Sequence, residues 1–135
     1  MQFAIKSIAD LEHLSHAVKW QHFERLVAFI FEQNNYDVKA GEIIKTGSGK
    51  RQIDVVASKY GRIFLVECKK WRHKERKAAL NSAASKHLER CDLYSIAKNK
   101  EVMPLIVTLL DDDIEEVDGV AIVPIMKLNE FLNQA

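Results

Sequence analysis

Cysteine, proline and glycine are scarce: two, two and five in 135 residues. Cys68 and Cys91 have no CxxC spacing, and with no export signal in view they read as reduced thiols rather than a bridge. No apolar run approaches the roughly 20 residues that cross a membrane. The opening "MQFAIKSIADLEH" lacks the charged start, apolar stretch and small-residue cleavage site of a signal peptide. A cytoplasmic protein without a membrane partner is therefore the expectation. Repeats and low-complexity linkers are missing too, so residues 1–135 are read as one domain, with 1–14 as an N-terminal extension and 15–135 as the core. At 47% apolar and 29% charged residues, the composition excludes disordered and fibrous classes.

Net charge is also small, at +1, but it is unevenly spread. Lys45 to Lys77 holds eleven Lys or Arg against Asp54, Glu67 and Glu75, while the remainder carries sixteen acids against nine bases. That asymmetry points to an anionic partner facing one region.

Helical spacing of Val18, Phe23, Leu26, Val27, Ile30 and Phe31 predicts an amphipathic helix over Ser15–Asn35, with Ser15 as cap and the Asn pair as stop. "YDVKAGEIIKT", "IDVVASKYG" and "RIFLVECKKW" read as three strands. The short "KYGR" link makes the last two a hairpin. A second helix is predicted from Lys74 to about Lys98. "VMPLIVTLL" and "GVAIVPIM" have the near-continuous apolar character of strands covered on both faces, and "KLNEFLNQ" closes as a helix. The fold class is α/β: a central mixed sheet flanked by helices, in the order αβββαββα.

Alternation along the third strand sends Glu67 and Lys69 to one face. Burying either ion alone is costly, so a strand end holding both opens into a polar site or gives each a partner. Asp54 is a lone acid among apolar residues in the preceding strand, and a hairpin can set it beside Glu67. Two carboxylates that close repel unless a cation lies between them. Hard oxygen ligands of this kind suit Mg²⁺, which keeps most of its waters.

Asp54 followed by Glu67-Cys68-Lys69 resembles the PD-(D/E)xK nuclease signature. "WQHFERLVAFIFEQNNYDV" resembles the opening helix and strand of the Mrr-like restriction endonuclease domain, and "PLIVTLL" with "GVAIVPIMKLNEFLN" resembles its last strands and helix. The likeness spans Trp20 to Asn133, and archaeal Holliday junction resolvases share the same core. It implies a restriction-endonuclease-like fold and DNA phosphodiester hydrolysis with Mg²⁺, for which Mn²⁺ would substitute. By the same resemblance Asp54 and Glu67 ligate the metal, the Cys68 carbonyl joins them, and Glu24 binds through water or a second ion. The resemblance further implies that Lys69 orients or activates the attacking water and steadies the charge growing on the phosphate. Gln52 has at most a supporting role. Ile53 stands where the superfamily's name has Pro.

Lys45, Lys50, Arg51, Lys70, Arg72, Lys74 and Lys77 are the candidate DNA contacts, serving to neutralise phosphates without reading sequence. Trp71 is either a stacking platform or a lid on the core. "KTGSGKR" reads as a flexible basic loop. Its "GSGK" lacks the spacing and following helix of a phosphate-binding loop, which excludes nucleotide binding. His13 and His16 have no third ligand for zinc; His73 and His87 are at most phosphate contacts. The acidic run Asp111–Asp118 lacks a calcium loop's ladder and reads as a solvated turn. The reading is an Mg²⁺-dependent endonuclease of DNA, expected as a homodimer and open to a separate specificity partner. Junction resolution is the alternative activity, and a non-catalytic nucleic-acid-binding module is the alternative of another class.

Overall fold

The computed structural model describes residues 22–47, 49–71, 77–111 and 113–135. Within them the elements run α1 (Phe23–Gln33), β1 (Asp37–Thr46), β2 (Gly49–Lys59), β3 (Arg62–Lys69), α2 (Lys77–Lys98), β4 (Met103–Thr108), β5 (Glu116–Val117), β6 (Val120–Pro124) and α3 (Ile125–Gln134). Ser15, Val18 and the segment Lys74 to Arg76 lie outside the described residues.

The Asn pair stops α1 as its chemistry predicts. Asn35 adopts φ 66°, its N–H donates to the Glu32 carbonyl, and the Tyr36 N–H donates to Phe31 at 3.1 Å. This left-handed closure satisfies carbonyls that the helix leaves open. Phe31 and Tyr36 then pack edge to face at 5.3 Å and aim the chain into β1.

The sheet has the order β1-β2-β3-β4-β6-β5. β1 to β3 form antiparallel hairpins, β3, β4 and β6 are parallel, and β5 runs antiparallel to β6. On one face, α1 and α3 bury Phe23, Leu26, Val27, Phe31, Leu128 and Leu132 over Val55, Ala57, Phe64, Val66 and Val107. On the other, α2 sets Cys91 and Tyr94 over Ile53, Val56, Ile63 and Leu65. Its Leu80, Ala83 and Ala84 cover Ile106, Val120 and Ile122. The expected mixed sheet between helical layers is what the chain forms.

Two local expectations are corrected. The acidic run contains β5, an extra two-residue strand, because Asp118 (φ 51°) and Gly119 (φ 87°) make a tight turn that pairs Val117 with Val120. "KTGSGKR" is mostly ladder rather than loop: Ile44 pairs with Arg51, Lys45 with Lys50, and Thr46 with Gly49.

One irregularity positions the site. The β2–β3 ladder runs from Lys59 opposite Arg62 to Val55 opposite Val66 and stops one step before Asp54 meets Glu67. Between β1 and β2 the ladder skips the single step of Gly41 and Asp54. Gly41 there takes φ 65°, a conformation that would cost another residue about 1–2 kcal/mol. The ribbon turns over at this step, since Ile53 packs under α2 whereas Val55 packs under α1. Strand pairing is thus withdrawn from both sides of Asp54.

Candidate active site

With the ladder interrupted, the Cys68 N–H has no strand carbonyl opposite it in β2. Asp54 takes that place: its Oδ2 accepts from Cys68 N–H at 2.8 Å. The same carboxyl lies near enough to Glu24, from the first turn of α1, and to Glu67, from β3, for their charges to act on one another. Because the ribbon turns over here, Asp54 feels an acid from each helical face of the sheet. Carboxylates crowded this closely repel one another when ionised, which favours the protonated form. Burial, followed by the charge of Glu67, pushes Asp54 up to about 6, against the opposing pull of the Cys68 N–H and Arg90. Glu24 is raised as well, first by burial and then by Asp54, with Lys70 opposing.

Glu67 is 8% exposed and gathers cations. Arg90 Nη1 donates to its Oε2 at 2.8 Å, and Lys69 Nζ lies 3.6 Å from Oε1. His87 Nδ1 stands 3.9 Å from Oε2. His87 is fully buried, and since a carbonyl can only accept, its Nε2–H donates to Leu65 O at 2.8 Å. Burial lowers its pKa to about 4, so the ring is neutral and Nδ1 is left without a hydrogen-bond partner.

Glu24, Asp54, Glu67 and Lys69 come together, as does the backbone of Cys68. The Cys68 thiol is buried under α1 and held well above its ordinary pKa, chiefly by desolvation. Lys45, Lys50 and Lys77 are exposed. Arg51 is half-exposed and 3.7 Å from Glu89. Gln52 is exposed. Arg72, Lys74, His13, His16 and His73 lie outside the described residues.

Two assignments are corrected. Lys70 is buried, and its charge acts on Glu24 and Cys68, so it belongs with the acids rather than with an open phosphate-binding strip. His87 is core and cannot meet a phosphate. Trp71 is the lid: it packs against the Ile106 and Val120 cluster, with Lys69 Nζ 5.9 Å from its ring centre. Arg90 joins the site with no motif in the sequence to mark it.

Residues 15–100 match the sequence model of the Mrr catalytic domain, described as a restriction endonuclease. The chain belongs to this restriction endonuclease family. The family member is 35% identical over 116 residues to an uncharacterized protein of Archaeoglobus fulgidus, an alignment covering 85% of this chain and 90% of the relative. Its fold is similar to that of the small subunit of the heterodimeric restriction endonuclease R.BspD6I. That match has a TM-score of 0.61 at 12% identity and covers 94% of this chain and 76% of the other. An XisH family protein from Nostoc punctiforme is similar at TM-score 0.56 and 13% identity, with coverage of 78% and 92%. A solved protein of unknown function matches at TM-score 0.50 and 21% identity over 63% of this chain, which spans only 44% of that longer one. At such identities the structural likeness speaks for the fold, and family membership supports a nuclease-like function.

The family's use of divalent metals asks whether these residues fit one. Among the described residues, no three His, Cys, Asp or Glu stand in a finished ligand cage. Their chemistry nevertheless fits: carboxylate oxygens are the donors that hard divalent ions take. Burial and the charge of Glu67 raise Asp54, which marks a place where a cation would relieve the repulsion.

Proposed function

We propose that the protein is a divalent-metal-dependent endonuclease that hydrolyses DNA phosphodiesters, with Mg²⁺ as the resident ion and Mn²⁺ as its substitute. The observation that carries this is the meeting of Glu24, Asp54 and Glu67 at a step where strand pairing is withdrawn, with Lys69 3.6 Å from Glu67. Asp54 and Glu67 would hold the ion, helped by Glu24 and the Cys68 carbonyl. When bound, the ion supplies a polarised water and positive charge for the phosphate oxygens. Lys69 would face the phosphate and steady the charge that grows there. Arg90 and Lys70 already tie up part of the negative charge, so the cluster is not an open acidic hole that would repel a phosphate.

Lys45, Lys50 and Arg51 on the β1–β2 hairpin, with Arg72, Lys74 and Lys77 after β3, would grip the backbone without reading bases. Cutting both strands then calls for a second site, from a homodimer or from a separate subunit that also supplies specificity. The fold shared with one subunit of a heterodimeric restriction endonuclease supports the second arrangement.

The test offers supercoiled plasmid, methylated duplex and four-way junctions with and without Mg²⁺. Nicking that needs Mg²⁺ and is lost in Asp54→Asn is expected. Preferential cutting of junctions would move the substrate to branched DNA. Binding without cutting on every substrate would leave a non-catalytic nucleic-acid-binding module.

A further inference from the structure

We propose that Arg90 is a positioning residue of this site: it holds Oε2 of Glu67 so that Oε1 is the oxygen turned towards the ion and Lys69. The proposal rests on the metal-dependent reading above and adds a residue from the opposite helical layer. Arg90 and His87 are three residues apart on α2 and so project from one side of the helix. His87 donates to the Leu65 carbonyl at 2.8 Å, two residues before Glu67, which pins α2 to β3 at the register that lets Arg90 reach the carboxylate. The Arg90 side chain is itself only 26% exposed and Glu67 11%, so this pair is partly withdrawn from solvent.

A matching arrangement exists across the hairpin. Asp54 has its Oδ2 tied by the Cys68 N–H, and Glu67 has its Oε2 tied by Arg90. Each strand carboxylate therefore has one oxygen committed to the fold, which restricts where the other can point. A ligand fixed in this way needs less ordering when an ion arrives, and partners of this kind typically govern affinity by about 10–100-fold. Arginine suits the task because its guanidinium is planar, permanently charged and donates in fixed directions, whereas lysine offers a mobile point charge.

The test measures Mn²⁺ uptake by the full chain, by calorimetry after chelation and dialysis. Arg90→Ala should weaken Mn²⁺ binding about 10–100-fold, and Arg90→Lys should recover only part of the loss. In parallel, urea unfolding in chelator gives a double-mutant cycle between Arg90→Ala and Glu67→Gln, whose losses should fall short of additive. Mn²⁺ affinity that is unchanged or tighter in folded Arg90→Ala overturns the proposal, because Arg90 would then merely compete with the ion. Additive losses overturn it too, since Arg90 would not act through Glu67. A wild-type chain that takes up no Mn²⁺ while the cycle shows coupling counts against the metal-dependent function and leaves Arg90 as an anchor of Glu67 alone.

Discussion

Asp54→Asn should make the metal-free protein more stable at neutral pH while destroying the site. The carboxyl releases its proton near 6 rather than at its ordinary 3.8. For an acid raised in this way, the folded state binds the proton more tightly than the unfolded chain. Its contribution is present below about 3.8 and is lost as pH rises through about 6. At ~1.36 kcal/mol per pH unit, ionised Asp54 costs the native state up to about 3 kcal/mol. Because the carboxyl is partly exposed, we halve this for solvent screening, to ~1.5 kcal/mol. Asn keeps an oxygen to accept from Cys68 N–H and carries no charge. In urea unfolding with chelator, the variant should therefore exceed wild type by ~1–2 kcal/mol at pH 8, with the gap closing towards pH 4. Millimolar Mg²⁺ should then raise the wild type and leave the variant unmoved. A variant no more stable than wild type at pH 8, or a gap that ignores pH, would refute the crowding of acids at this step.

His87 runs the other way. Its pKa is lowered to about 4 from 6.5, so its contribution is present above about 6.5 and is lost as pH falls through about 4. His87→Gln keeps a donor for Leu65 O and should reduce the acid-induced loss between pH 6.5 and 4.5 by ~2 kcal/mol; superimposable urea profiles would contradict this. Lys69→Met should lower kcat on DNA by about 10²-fold or more while changing Mn²⁺ affinity little, as expected of a charge that acts on the transition state. An equal loss in metal affinity would make Lys69 a support for Glu67 instead.

Much of this architecture is written in local chemistry. Asn34 and Asn35 predict the end of α1, and the left-handed Asn35 delivers it. The apolar runs of β4 and β6 announce strands covered on both faces. Alternation sets Glu67 on the face that α2 covers, and the hairpin sets Asp54 one step beyond the last rung. Other features carry subtler signals. "VDGV" is a hairpin turn between two strand formers and marks β5. Lys70 shares its parity with Phe64, Val66 and Cys68, which sends it towards α1 and Glu24 instead of outward. His87 stands in the stripe Leu80, Ala84, His87, Cys91 and Tyr94, all buried. Arg90 had no such signal. It lies 23 residues from Glu67, and only the docking of α2 across the sheet brings the two together.

The fold thus spends irregularity in one place. Gly41 breaks β1, Asp54 replaces a rung, and the β2–β3 ladder ends at Val55 and Val66, which frees three acids to meet. Whether they share a cation is answered most directly by anomalous diffraction from crystals soaked in Mn²⁺. A manganese peak bonded to one oxygen of Asp54 and one of Glu67 is expected, absent in Asp54→Asn crystals treated identically. Manganese found only elsewhere on the surface, with no peak between Asp54 and Glu67, would contradict the hydrolytic assignment.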